Sequence, residues 1–145
     1  MKNKTSLTKD AILKDPYNYT LKEMKDCLGE EMATDFFESL YKNKPKIQNQ
    51  TVKIKEVFNG KDTLKYAFEL SDGYCIETVC IKRKTGITVC VSTMVGCPVG
   101  CIFCASGKNG FIRNLSSSEI VQQIVLLKEK VNRIVFMGMG EPLLN

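Results

Sequence analysis

Polar and apolar positions keep one period in the first third of the chain, a second in the middle and a third at the end. Over residues 1–50 the spacing is helical. Thr20-Leu21-Lys22-Glu23 has the form in which a cap hydroxyl and a glutamate three residues on satisfy each other's backbone amides, and it predicts a short helix ending near Gly29. Met32, Phe36, Leu40 and Tyr41 recur at helical intervals and predict a second helix. Pro45 and the polar Ile47-Gln48-Asn49-Gln50 run predict a linker. A unit this small has little core of its own, and nothing in it suggests chemistry.

From residue 51 to 92 the period falls to two. Tyr66, Phe68 and Leu70 alternate with Lys65, Ala67 and Glu69, and Ser71-Asp72-Gly73 then signals a turn. Ile76, Val79 and Ile81 continue in β-rich sequence, Lys84-Thr85-Gly86 turns the chain again, and Thr88 to Ser92 is a third β-rich run. This predicts a small antiparallel meander.

Residues 93–145 switch once more. A cysteine-bearing loop is expected from Met94 to about Asn114. Ser116-Ser117-Ser118-Glu119 is a second capping box, opening a helix over 117–130 with Ile120, Ile124, Leu127 and Val131 at its spacing. Arg133-Ile134-Val135-Phe136-Met137 then reads as a buried strand. With the strand near residues 88–92 this makes one βαβ crossover and two parallel strands. The chain is therefore read as α/β, in three stretches: a helical unit over 1–50, a β-rich lead-in over 51–92, and the start of a parallel α/β body over 93–145.

Composition narrows the chemistry. No apolar run approaches the roughly 18 residues of a membrane span, and Met1 to Asp10 lacks the apolar segment of a signal peptide. A cytoplasmic location is the expectation. The chain has 7 cysteines and no histidine. An odd, unevenly spaced cysteine set is a poor disulfide framework and a better metal or redox inventory. The net charge is +5. Between residues 81 and 133, eight lysines and arginines face only Glu119 and Glu129, whereas residues 58–80 carry an excess of carboxylates. Basic charge is thus expected around the cysteine cluster, either as a solvated face or as a contact for a phosphate-bearing partner.

The chemistry concentrates in Cys97-Pro98-Val99-Gly100-Cys101-Ile102-Phe103-Cys104. Thiolates are soft ligands that favour zinc, copper(I) or iron–sulfur clusters. Structural zinc normally takes a fourth cysteine or a histidine, and the chain has neither a second C-x-x-C pair nor any histidine. Three thiolates on a 4Fe–4S cluster leave one iron open to a substrate or cofactor. A zinc module or three incidental thiols remain the alternatives from spacing alone. Further on, Gly138-Met139-Gly140-Glu141-Pro142 follows a predicted parallel strand, where glycines permit close backbone approach to a ligand.

The C-x3-C-x2-C pattern with Phe103 before its last cysteine resembles the fingerprint of the radical S-adenosylmethionine (SAM) superfamily, and the glycine loop resembles its SAM-binding element. The runs TVCVSTMVGCPVGCIFCASGKNGFIRNLSSSEIVQQI and FMGMGEPLLN, with LSDGYCIETVCI upstream, are similar to the RlmN/Cfr family of radical SAM RNA methyltransferases. GEPLLN and NGFIRNL lean toward the RlmN branch. The likeness covers roughly residues 60–145. One departure is Met94, where the family usually has glutamine.

The resemblance implies a partial (β/α) radical SAM barrel. It assigns Cys97, Cys101 and Cys104 to a 4Fe–4S cluster, Gly140 and Glu141 to SAM, Cys90 to the resolving thiol and Glu77 to a proton acceptor. Without it, Cys90 is a small residue in a strand and Glu77 a surface carboxylate. Cys27, Cys75 and Cys80 are expected to be packing residues. The implied activity forms 2-methyladenosine in ribosomal RNA and tRNA. One SAM methylates a distant cysteine and a second is cleaved to a radical. Cys90 then releases the RNA by forming a disulfide with the methyl-carrying cysteine. That carrier is not in this sequence, so a fragment lacking it, inactive alone, is expected. An electron donor for the cluster is an implied partner. The rival readings are another radical SAM enzyme, such as an activase or maturase, and a non-catalytic RNA- or zinc-binding module.

Overall fold

Both capping boxes form. In the computed structural model, which describes residues 7–42 and 50–145, the Thr20 hydroxyl accepts from the Glu23 amide and Glu23 Oε2 accepts from the Thr20 amide at 2.8 Å. The expected linker at Pro45 and Ile47–Asn49 lies outside the described residues, as does the start of the chain as far as Ser6. The chain divides into two compact units, Met1–Gln50 and Thr51–Asn145.

The first unit is helical. Its described helices are α1 (Lys9–Lys14), α2 (Leu21–Leu28) and α3 (Glu30–Lys42). Gly29, with φ at 86°, ends α2 in a backbone conformation that costs a glycine little. Ile12, Tyr17, Met24, Ala33 and Leu40 form its core. The apolar stripe of α3 is rotated from the one the spacing predicts. Leu40 is buried as expected, but Met32 and Tyr41 are exposed and Ala33 is buried instead. Phe37 and Tyr41 satisfy each other on the outside, with ring centroids 4.9 Å apart.

The second unit is built on a five-stranded sheet in the order β1-β2-β3-β4-β7. Strands β1 (Val52–Asn59), β2 (Thr63–Leu70), β3 (Cys75–Arg83) and β4 (Gly86–Cys90) are antiparallel neighbours. The crossover from β4 through α4 (Ser117–Val125) to β7 (Val131–Val135) makes the β4–β7 pair parallel, as the sequence pattern requires. Residues 51–92 and 93–145 therefore share one sheet and one core. Along β2, Leu64, Tyr66, Phe68 and Leu70 all point into that core with Ile76, Cys80, Val89 and Val91. Each large apolar side chain buried this way contributes about 1.5–3 kcal/mol.

Three elements depart from expectation. β1 is an edge strand whose alternation is broken by a bulge at Lys55, and only Val52 is buried, so its sequence carries no two-residue signal. The expected cysteine loop contains two short paired strands, β5 (Met94–Gly96) and β6 (Phe111–Asn114). The helix stops at Val125 rather than near residue 130: the Leu126 amide makes the last i→i−4 bond, to the Gln122 carbonyl, and the Leu127 amide then tightens onto the Ile124 carbonyl. Leu127 is buried beyond the helix end, and Val131 opens the following strand. That strand starts two residues earlier than predicted, leaving Phe136 and Met137 exposed after it. No helix among the described residues is long and apolar enough to cross a membrane.

Candidate active site

Two loops leave the same end of the parallel pair. The chain from β4 runs through Val91, Ser92 and Thr93 into the cysteine loop, and the chain from β7 runs into Gly138-Met139-Gly140-Glu141. Hydrogen bonds join them directly: Gly138 N–H to the Val91 carbonyl (3.0 Å), Thr93 N–H to the Met139 carbonyl (2.8 Å) and Met139 N–H to the Ser92 hydroxyl (2.9 Å). The glycines make this approach possible. A Cβ on Gly138 would lie 2.6 Å from the Val91 carbonyl oxygen. Gly140 has φ at 98°, and a Cβ there would lie 2.6 Å from the Cβ of Met94. Met94, the departure from the family pattern, is thus the buried floor beneath Gly140. Glu141 accepts from the Leu143 amide at 3.0 Å.

The cysteine loop is closed at its base. The Cys97 amide donates to the Gly110 carbonyl at 3.1 Å, and a Cβ on Gly96 would collide with that same carbonyl. Arg113, in β6, makes a two-pronged pair with Glu119 (2.8 and 2.9 Å) and donates from Nε to Asp72 at 2.6 Å. Glu119 also accepts from the Ser116 amide, so one buried carboxylate caps α4 and holds the loop's exit. The Arg113 guanidinium holds the Asp72 carboxyl below its usual range.

Cys97 and Cys104 are half-buried and Cys101 is exposed. Ile102 and Phe103 between them are almost wholly exposed, at 97% and 88%. Hydrogen bonds from the Ser106 backbone and side chain, with a smaller one from the Gly107 amide, hold the Cys104 thiol below its ordinary value, which favours the thiolate a metal needs. Among the described residues no group of three or more histidine, cysteine or carboxylate side chains is gathered tightly enough for one metal ion. A 4Fe–4S cluster makes a different demand, since each thiolate binds a different iron. Three all-sulfur donors on one closed loop, one already favouring the thiolate, fit it.

Glu77 and Cys90 lie elsewhere, on the sheet face opposite α4. Cys90 is opposite Val79 in the β3–β4 ladder, and Glu77 is two residues along β3. Glu77 is exposed and pairs with Lys65 Nζ at 2.9 Å. Burial pushes the Cys90 thiol up. All seven cysteines are free thiols, so the chain holds no disulfide within itself. Burial, chiefly, pushes buried Cys80 up to about 11. Cys75 is not a packing residue: it is exposed, with Lys55 Nζ 3.6 Å from its sulfur.

Sequence reasoning missed the residues that brace this site. The most deeply buried residues of α4 are Ser118, Glu119, Gln122 and Gln123, while the expected Ile120 and Ile124 pack against the core partly buried. Gln123 Oε1 accepts from the Ser92 amide and the Thr78 hydroxyl (both 2.8 Å), and its Nε2 donates to the Ser92 carbonyl at 2.9 Å. Gln122 does the same for the start of β1, accepting from the Thr51 and Val52 amides. The Ser92 hydroxyl, in turn, donates to the Glu77 carbonyl at 2.6 Å. Two adjacent amides inside an otherwise apolar helix were the available signal. Gln123→Leu, which strands the Ser92 amide and the Thr78 hydroxyl, is expected to destabilise this unit by about 3 kcal/mol in urea unfolding. A loss under about 0.5 kcal/mol would mean that the helix is held by its apolar contacts alone.

The basic charge is not where the sequence placed it. In the cysteine loop and β6 the cations are Lys108 and Arg113, and Arg113 is taken up by two carboxylates. Most of the remaining cations of residues 81–133 stand at the other end of the sheet.

A family model described as the Radical SAM superfamily matches residues 91–145. A protein of Pseudothermotoga lettingae described as a probable dual-specificity RNA methyltransferase RlmN is 50% identical over 103 residues, covering 68% of this chain and 30% of that protein. A protein of Trichodesmium erythraeum with the same description is 56% identical over 87 residues, covering 57% of this chain and 25% of its own length. The crystal structure of a radical SAM methyltransferase from Sphaerobacter thermophilus superposes with a TM-score of 0.79 at 30% identity, over 89% of this chain and 48% of that one. The chain spans under a third of the length of these curated relatives.

Proposed function

We propose that the chain serves a radical SAM methyltransferase that forms 2-methyladenosine in ribosomal RNA and tRNA, a reading supported by the Radical SAM superfamily match over residues 91–145 and by the likeness to RlmN-type RNA methyltransferases. Members of this superfamily use a 4Fe–4S cluster and SAM. The observation that carries the reading is the hydrogen-bonded seam between the two loops, Val91–Thr93 against Gly138–Met139, which sets a three-thiol loop beside a glycine loop at one end of a parallel strand pair.

The residues divide the work as follows. Cys97, Cys101 and Cys104 hold the cluster, and their number leaves one iron for SAM. When bound, the cluster supplies one-electron reduction, drawing on an external electron donor. Gly140, at positive φ, and Glu141 form the seat for the amino group of SAM. The buried Met94 beneath Gly140 keeps that seat apolar on its inner side. On the open face of the sheet, Cys90 presents a thiol kept protonated by partial burial, suited to a nucleophile called on only when its proton is removed. Glu77, held by Lys65, offers a carboxylate two residues from the partner of Cys90 and is the proton acceptor in this scheme. To release the RNA, the Cys90 thiolate would attack the sulfur of the methyl-carrying cysteine, forming S–S as the S–C bond to the RNA breaks and its electron pair leaves with the carbon. Cytoplasmic location follows from the RNA substrates and the reduced thiols.

The test is to express the gene at its full native length in a bacterium whose RNA lacks 2-methyladenosine. Nucleoside mass spectrometry should then find 2-methyladenosine in ribosomal RNA and tRNA. A protein that assembles its cluster yet leaves both RNAs without it overturns the reading.

A further inference from the structure

The end of the sheet remote from both loops gathers cations that lie far apart in the sequence. Lys82, Arg83 and Lys84 occupy the β3–β4 turn. Lys128 and Lys130 lie between α4 and β7, and Arg133 is in β7. All six are exposed. The parallel pairing brings the groups together: Ile87 pairs with Val131, and the Ile87 amide donates to the Asn132 side chain at 2.9 Å. The β1–β2 turn sits alongside, with the Lys82 amide on the Asp62 carbonyl at 2.8 Å, and contributes one charge of each sign, Lys61 and Asp62. Glu129 is the one carboxylate interleaved with the six, and it accepts the Tyr66 hydroxyl at 2.7 Å. Among the described residues none of the six is in an ion pair, while Arg113 at the other end is doubly paired.

We propose that this basic end is an RNA-docking surface, gripping the phosphate backbone of a folded RNA at a point distant from the adenine being modified. The inference rests on the RNA reading of the preceding section and adds where the RNA is held. Unpaired lysines and arginines spread over two adjoining turns suit a backbone and carry no base-reading geometry. From Arg83 and Gly86 to the loop seam is about seven residues of extended chain, so the two ends stand roughly 20 Å apart. A folded tRNA is long enough to touch both at once, whereas a trinucleotide at the seam is not. The surface therefore adds affinity for a longer RNA without reading its sequence.

The experiment uses the full-length protein with its cluster reconstituted, and two RNA probes: an unmodified tRNA transcript, and a trinucleotide carrying the target adenine, too short to span the sheet. The variant Arg83→Glu/Lys84→Glu/Lys130→Glu is compared with the wild type and with a control of equal charge change, Lys9→Glu/Lys22→Glu/Lys53→Glu, also at exposed positions. The variant should bind tRNA at least about tenfold more weakly, with the slope of log affinity against log salt reduced by about 2–3. Its iron content and its affinity for the trinucleotide should match wild type. An unchanged tRNA slope overturns the proposal, as does an equal loss on both probes or in the control. If the wild type methylates tRNA and the variant binds it normally, the docking surface falls and the RNA reading stands. If the wild type with its cluster neither binds nor methylates either RNA, both fall.

Discussion

Replacing Cys97, Cys101 or Cys104 singly by alanine is expected to abolish 4Fe–4S assembly, so that anaerobically reconstituted protein holds little iron and sulfide. The three thiols sit on one loop closed by the Cys97–Gly110 hydrogen bond and the β5–β6 pair. Within the second unit, no other cysteine lies on that loop. Cys80 is buried on the α4 side of the sheet, Cys75 is exposed at the start of β3, and Cys90 faces away from α4 on β4. The chain has no histidine to compensate. Cys27→Ala and Cys75→Ala should leave iron content at the wild-type level, and a normal thermal unfolding profile in the three variants would show that the loss is one of ligation. Full iron content in any one of them would mean that the assigned ligand set is wrong.

Gly138→Ala should have the second largest effect, through a mechanism independent of metal. The added Cβ would lie 2.6 Å from the Val91 carbonyl oxygen and 2.7 Å from the Ser92 nitrogen. Both are backbone atoms of a buried segment and cannot turn aside as a flexible side chain would. Relief requires the glycine loop to lift off the Val91–Thr93 strand, breaking the Gly138–Val91 and Met139–Ser92 hydrogen bonds. Overpacking of this kind costs about 1–3 kcal/mol, and the loop that would seat SAM moves with it. The expected result is a lower unfolding midpoint, near-complete loss of SAM binding by calorimetry and an unchanged iron content. SAM affinity equal to wild type would show that the seat does not depend on this seam. Gly73→Ala is the contrasting case: Gly73 has the positive φ that Gly138 lacks, but its Cβ would meet nothing, so only backbone strain of the turn is added.

Much of this arrangement was legible because it rests on local rules. The two capping boxes fix their own amides, the alternation of β2 is a one-residue decision repeated, and the cysteine spacing belongs to a single loop. What was not legible depends on distant partners. Gln122 and Gln123 are polar residues on a buried helix face only because strand ends bring orphan amides to them. Leu127 fits the helical period of Ile120 and Ile124 yet lies past the helix end, so its burial mimicked two more turns. The basic residues near the cysteines in sequence are at the opposite end of the sheet, because a parallel crossover carries the chain back to where β4 began. Linear proximity is a poor guide to spatial charge in a βαβ unit for that reason.

The closed base of the cysteine loop bears on how much of the fold a metal would have to supply. Cys97–Gly110 and the bidentate Arg113–Glu119 pair join the feet of the loop without using any thiol. The entropy of bringing those ends together is thus met by polypeptide contacts, unlike small zinc domains, in which the metal itself supplies the folding energy. A cluster bound by the three thiols would add to a loop whose ends are already tied, so its chemistry and the folding of its scaffold are separate demands on the sequence.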